Sequence, residues 1–237
     1  MDISTSVALV TGANRGIGRE FARILVERGA TVYATARRPE SIDLEGVRAL
    51  RLDITDPESV RAAAEAASDV TLLVNNAGIT TGADLVSGDL GKIRLELDTH
   101  FWGTLSMIRA FAPVLTANGG GAIANVLSAL SWFSAPGAGA YHVAKAAEWA
   151  LTTSVRAELA GRGVSVTGVH LGAADTDMMR GYDGPKITPA QVVEAALAGV
   201  EAGSAEVLVD DWSRFVKAGV SETPEAFYES IRTGLAG

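Results

Sequence analysis

Cysteine is absent from the 237 residues. That excludes disulfides, thiolate nucleophiles and cysteine-ligated zinc, and it is compatible with a cytoplasmic location. Positive charge is in the minority: 20 Lys and Arg face 28 Asp and Glu, the net charge is −8, and no basic block occurs. Phosphate backbones and anionic lipid heads need clustered cations, so neither nucleic acid nor a membrane surface is an expected partner. No apolar run approaches the ~20 residues of a membrane-spanning helix. The opening MDISTSVALVTGANRGIG has no basic region ahead of its short VALV run, so it reads neither as a signal peptide nor as an anchor. What is plentiful is apolar material: residues AVILMFWYC make up 48% of the chain, enough for a sizeable core and too much for a disordered one.

That material is arranged in alternating patterns. Short runs rich in Val, Leu and Ile read as strands at 7–11, 31–35, 47–53, 71–76, 122–128, 164–170 and 206–210. They are apolar on both faces, as buried parallel strands are. Helical stretches lie between them. Several end in Gly, and Pro57 and Pro189 stand in first helical turns. Strand–helix alternation of this kind predicts an α/β fold, a doubly wound parallel sheet of about seven strands with helices on both faces. No linker divides the chain, so residues 1–237 read as a single domain. Its least regular parts are 129–139 and 172–188, both following strands, where ligands of such sheets bind. Beyond the seventh strand a tail, 211–237, has no assigned role.

The first strand runs into a glycine-rich turn and a helix, VALVTGANRGIGREFARIL. Gly12, Gly16 and Gly18 allow a tight turn and close approach of backbone to a ligand, and the first N–H groups of the following helix point at an anion. The alternative is a tight turn with no ligand. Where the second strand ends, TVYATARRP carries Arg37 and Arg38, and Arg15 lies in the turn itself. An acidic residue at that strand end suits the ribose 2′-OH of NAD, whereas arginine suits the 2′-phosphate of NADP. The expectation is NADP(H) in preference to NAD(H). Asp53 ends the third strand, where it either accepts from an adenine amino group or caps the helix at Pro57.

Tyr141 and Lys145 in AYHVAKAAEWA lie one helical turn apart on one face. Taken alone, they read as two amphipathic side chains reaching for water. Together with TGANRGIG, with NNAG at Asn75–Gly78, with Ser128 thirteen residues before Tyr141, and with LGAADT at 171–176, they resemble the short-chain dehydrogenase/reductase family over nearly the whole chain. The resemblance implies a Rossmann-type fold and a carbonyl reductase-like oxidoreductase. It implies a dinucleotide held by Gly12, Asn14, Arg15, Gly16, Ile17 and Gly18, by Arg37, Arg38, Asp53 and Ile54, by Asn75, Ala77 and Gly78, and by Tyr141, Lys145, Gly172 and Thr176. It also implies a homodimer or homotetramer built on helices 89–115 and 139–160.

The chemistry accounts for the residue types. A ketone gains a hydride on carbon and a proton on oxygen, and a tyrosine hydroxyl can supply that proton. A nearby ammonium lowers the cost of the phenolate, so Lys145 is expected to bring the Tyr141 pKa below its ordinary ~10. The resemblance adds a ribose-binding role for Lys145, and Ser128 would hold the substrate oxygen. It further implies an asparagine that holds a water joining the lysine to solvent, and the matching position here is His100. Imidazole can take over such a relay; the alternative is a polar residue packed beside Gly103. Asn76 reads as structural. Trp132, Phe133, Met178, Met179 and Tyr182 are expected to line a pocket for an apolar or aromatic carbonyl compound. Two other functions fit the same residues less well: a non-catalytic dinucleotide-binding sensor or scaffold, and a dehydratase, epimerase or imine reductase on the same fold.

Overall fold

A computed structural model describes residues 1–235. β1 (Val7–Val10) lies in the interior of one sheet, where its apolar side chains Ala8, Leu9 and Val10 are buried. The other strands are β2 (Thr31–Ala36), β3 (Val47–Arg51), β4 (Leu72–Asn75), β5 (Gly121–Val126), β6 (Val164–His170) and β7 (Glu206–Leu208). The order is β3-β2-β1-β4-β5-β6-β7, and every pairing is parallel. The order reverses between β1 and β4. Two connecting segments, Thr11–Gly12 and Asn76–Gly78, therefore leave adjacent carboxyl ends at a topological switch point, where open α/β sheets bind ligands.

Helices cover both faces. α1 (Gly16–Glu27) and α6 (Pro189–Glu201) pack on one side. Phe21, Ala22, Ile24 and Leu25 of α1 are buried there at helical spacing, together with Val192, Val193, Ala196, Leu197 and Val200 of α6. The other side holds α2 (Pro57–Ala66), α4 (Thr104–Ala117) and α5 (Gly139–Leu159) over Leu9, Leu73, Ile123 and Val166. β3 departs from the expected two-faced burial: Arg48, Ala49 and Arg51 are exposed because it is an edge strand. Polar side chains on an edge also discourage pairing with another sheet.

The long helix expected over 89–115 is interrupted. α3 (Leu90–Leu97) passes into a π-helical turn, Asp98–Gly103, before α4 begins. Single π turns inside α-helices mark functional positions in many proteins, and this one contains His100. The tail folds as α7 (Asp211–Gly219) and α8 (Pro224–Leu235), while residues 236–237 lie outside the described structure. A capping box between Asp210 and Ser213 starts α7. Val216, Phe227 and Ile231 then bury against Ala129 and Phe133, making a third core over the loop that follows β5.

Candidate active site

The glycine-rich turn is built for backbone proximity. Gly12 and Gly16 have φ of +66° and +56°, a region that side chains with a Cβ avoid. A Cβ on Gly18 would lie 2.3 Å from the Gly12 carbonyl oxygen and 2.4 Å from the Asn76 amide nitrogen. The turn is pinned to the β4 end. The Thr11 hydroxyl accepts from the Asn76 and Ala77 N–H groups, both at 2.9 Å, and the Asn76 amide donates to Thr11 O at 2.9 Å. Asn76 is thus structural, as its sequence position implied. Arg15 precedes the first turn of α1 and no side chain caps that helix, which leaves its leading N–H groups facing outward, able to receive an anion. Asn14 and Ile17 flank the same turn, partly buried. A Cβ on Gly16 would lie 3.3 Å from Thr176 Cγ2, so the 172–188 segment reaches the turn. Arg15 and Asp177 join them further by an exposed ion pair at 3.6 Å.

Arg37 and Arg38 are exposed where β2 ends. Asp53 lies nearby and does not cap α2; Asp56 does, accepting from Glu58 N–H at 3.0 Å. Asp53 instead closes its own turn, its Oδ1 accepting from the N–H and hydroxyl of Thr55 at 3.0 and 2.7 Å. Partial burial pushes this carboxyl up, but the Thr55 bonds with the Arg37 and Arg51 charges hold it below the ordinary range. Its neighbour Ile54 is buried, and its side chain fills the space beside Gly103. Asn75 is turned into the sheet, donating to Asn125 Oδ1 at 2.8 Å. Gly172 donates its N–H to Asp210 at 2.9 Å and so ties the end of β6 to the start of the tail.

The second half of the site is a group of buried ionisable side chains. Lys145, Glu148, His100 and Glu96 are 5%, 2%, 1% and 0% exposed, so their charges meet one another rather than water. Lys145 Nζ donates to Val126 O at 2.8 Å and to Glu148 Oε2 at 2.7 Å. The Thr104 hydroxyl donates to Glu148 Oε1 at 3.0 Å. His100 Nε2 is 2.8 Å from Ile79 O and 3.4 Å from Glu96 Oε2, while its Nδ1 is 3.7 Å from Glu148 Oε2. The glycine against the imidazole is Gly78, not Gly103: a Cβ on Gly78 would lie 2.7 Å from His100 Cε1. The edge of Tyr141 meets His100 with ring centroids 5.3 Å apart, and Lys145 Nζ is 5.8 Å from the phenol centroid.

Electrostatics in this group differ from the sequence expectation in one respect. Burial pushes the Tyr141 phenol up; Lys145 pulls it down, Glu148 and Glu96 push it up again, and the Ser128 side chain works with the lysine. The net direction is upward, because burial of the phenol, with Glu148 and Glu96 beside it, outweighs the pull of the Lys145 ammonium and the Ser128 side chain. Burial likewise pushes Lys145 down, yet Glu148, Tyr141 and Glu96 hold it above its ordinary value. Burial pushes Glu148 up, and Lys145 with His100 holds it below. The pair is therefore ionised.

The sequence reading missed Glu148, Glu96, Thr104 and Thr11. The available signal was spacing: Glu148 lies one turn beyond Lys145 in an alanine-rich helix, and Glu96 one turn before His100. The five residues expected to line one pocket are separated. Trp132 stacks on His170 at 4.0 Å, with the Lys217 ammonium 4.6 Å from its ring. Burial drives His170 down to about 4, so this imidazole is neutral packing material. Phe133 is buried beside Trp212 and His142. Both aromatics belong to the packing under the tail, because α7 folds back over the β5 loop, a long-range event that leaves no local pattern. Met178 and Tyr182 are exposed on the 172–188 segment, and Met179 is half-buried. Ser128 stands at the end of β5 with its hydroxyl accepting from Leu130 N–H at 3.1 Å.

A parallel sheet with a glycine turn at its switch point, and a tyrosine and lysine one helical turn apart near it, define a class of dinucleotide-dependent oxidoreductases. A family model described as short chain dehydrogenase matches residues 6–185. The chain is 33% identical over 213 residues to the 3-oxoacyl-(acyl-carrier-protein) reductase of Vibrio cholerae, covering 86% of this chain and 85% of that protein. It is 33% identical over 190 residues to the putative oxidoreductase SadH of Mycobacterium tuberculosis, 73% of this chain and 68% of that one. The crystal structure of a short chain dehydrogenase from Burkholderia cenocepacia in complex with NADP matches with a TM-score of 0.92 at 39% identity, over 97% of this chain and 98% of that chain. The chain belongs to the short-chain dehydrogenase family, whose members bind a nicotinamide dinucleotide. Among the described residues no helix is long and apolar enough to cross a membrane.

Proposed function

We propose that the protein is an NADP(H)-dependent reductase or dehydrogenase of a carbonyl or secondary alcohol, with Tyr141 as acid and base. The observation that carries this reading is the continuity of the two half-sites. Ala77 touches Gly12 in the turn, Gly78 touches His100, and His100 meets Tyr141. When bound, the dinucleotide supplies or accepts the hydride. Tyr141 gives its hydroxyl proton to the carbonyl oxygen in reduction and takes one back in oxidation. Ser128 holds that oxygen. An ammonium has three N–H donors. Val126 and Glu148 occupy two on Lys145, and the third serves the ribose hydroxyls.

The exposed Arg37 and Arg38, with the NADP held by the Burkholderia relative, support NADP(H) over NAD(H). Met178, Met179 and Tyr182 support an apolar or aromatic substrate. The two-helix tail packs against the loop after Ser128. The exposed Leu90, Leu95, Trp102 and Val143 support a homodimer or homotetramer through α3, the π turn and α5, and the lack of cysteine is compatible with a cytoplasmic setting.

The test is the absorbance of NADPH and of NADH followed with a panel of ketones, aldehydes, imines and secondary alcohols. NADPH consumption on ketones or aldehydes is expected. Turnover with NADH alone overturns the arginine argument, and dinucleotide binding with no turnover on any compound points to a sensor.

A further inference from the structure

We propose that Glu148 is a positioning residue that clamps Lys145 and, through the buried group it forms with His100 and Glu96, sets the pH at which Tyr141 exchanges its proton. The inference rests on the reading of Tyr141 as the acid and base. Four observations carry it. The Glu148 carboxylate is buried and accepts from the buried Lys145 ammonium at 2.7 Å. Its other oxygen is fixed by the Thr104 hydroxyl at 3.0 Å, so the carboxylate has little freedom to leave. Both anchoring residues flank the π-helical turn or face it: Thr104 follows it directly, and His100 inside it faces Glu148 across 3.7 Å. Finally, His100 Nδ1 and Glu96 Oε2 are buried with no hydrogen-bond partner in the protein. A buried polar atom left in that state calls for an explanation, and a role in moving protons is one.

The ionisable and charged groups facing Tyr141 come from three elements. α5 brings Lys145 and Glu148, α3 brings Glu96, and the π turn brings His100. Two carboxylates therefore oppose one ammonium around a phenol, with an imidazole between them. The phenol loses its proton against that negative surplus, so Glu148 holds the neutral hydroxyl ready as a donor for reduction. Removing the Glu148 charge while keeping its shape should make the phenolate easier to form. The balance is simple: one proton leaves the phenol oxygen for the substrate oxygen, the hydride comes from the dinucleotide, and Glu148 itself neither gains nor loses a proton.

The experiment compares wild type with Glu148→Gln and Glu148→Asp in two readouts. The first is tyrosinate ultraviolet absorbance against pH, with Tyr141→Phe as the blank that isolates this residue. The second is the pH profile of kcat in both directions, with KM for the dinucleotide. Glu148→Gln is expected to move the Tyr141 midpoint and the profile down by roughly one pH unit. Glu148→Asp keeps the charge but is one methylene too short to hold Nζ. It is expected to leave the midpoint near wild type while kcat falls about tenfold and KM rises less. An unchanged midpoint and profile in folded Glu148→Gln overturns the proposal. If that variant does not fold, Glu148→Asp decides: wild-type kcat and KM overturn it. Tyrosinate absorbance needs no substrate, so a midpoint shift without turnover leaves this inference standing and sinks the reductase reading. Turnover without the shift does the reverse.

Discussion

The glycine turn at residues 11–18 and the charged group around Glu148 sit at the same end of the sheet, and they handle polarity in opposite ways. In the turn, the glycines keep side chains away from the backbone, and no side chain caps the helix that follows. In the group around Glu148, the charges are buried, and Lys145 and Glu148 meet each other inside the molecule. The turn is held in place by Thr11 and Asn76, and the uncapped start of α1 is left for water or a ligand to meet. The Lys145–Glu148 pair is satisfied from within the chain, so its geometry is set before any ligand arrives. A binding surface can be left unsatisfied because water serves it meanwhile; a buried ionic group cannot, because an unpaired charge there costs several kcal/mol.

That contrast can be broken most sharply at the phenol. Tyr141→Phe should lower kcat by about 10²–10⁴-fold, the range for losing a general acid, with thermal stability near wild type. Equal loss of folding would show that the hydroxyl belongs to the packing instead. Next comes Glu148→Ala, which leaves the Lys145 ammonium buried alone and should reduce unfolding free energy by about 3–5 kcal/mol, read by urea titration. A surface-like loss under 1 kcal/mol would dissolve the distinction between the two regions. Gly18→Ala tests the other side: its Cβ has no room against Gly12 O, and overpacking should cost about 1–3 kcal/mol. Dinucleotide affinity, followed by fluorescence titration, should drop more than stability does. The smallest effect is expected from Arg37→Ser with Arg38→Ser, where an exposed pair governs only the choice of ligand. The NADPH-to-NADH ratio of kcat/KM should fall about tenfold, a change of ~1.4 kcal/mol, with no change in Tm.

The pH dependence of stability sharpens the comparison further. The Glu148 pKa is depressed in the folded chain, so its contribution is complete above the ordinary carboxyl value of 4.5 and is lost as pH falls through the lower folded value. Lys145 is raised, so its contribution is complete below 10.5 and is lost as pH rises through the higher folded value. The ion pair should stabilise the chain fully between those limits. In Glu148→Gln the acid-side loss should shrink, a result that denaturant titrations at pH 3 and pH 6 would register. Changes in the turn should leave that slope untouched.

Much of the architecture could be read from residue order, because alternating apolar runs and helix caps are local signals. Those signals gave seven strands in parallel register, the position of the turn, and Tyr141 with Lys145 on one helical face. Periodicity carried less well to β3, whose edge position exposes Arg48 and Arg51, and to the tail, whose two helices bury Phe133. Trp132 and Phe133 look like pocket residues in a string of letters and are packing residues once α7 closes over them.

What residue order alone determined was the set of elements and the chemical types at the strand ends, since both follow from short-range spacing and propensity. Only the tertiary structure decided which charges meet. Glu96 and His100 come from one helix line and Lys145 and Glu148 from another. Their burial together, and with it the upward pull on the Tyr141 phenol, exists only after α3 and α5 pack. Coulomb interactions depend on separation and on exclusion of water, and neither is written in sequence distance.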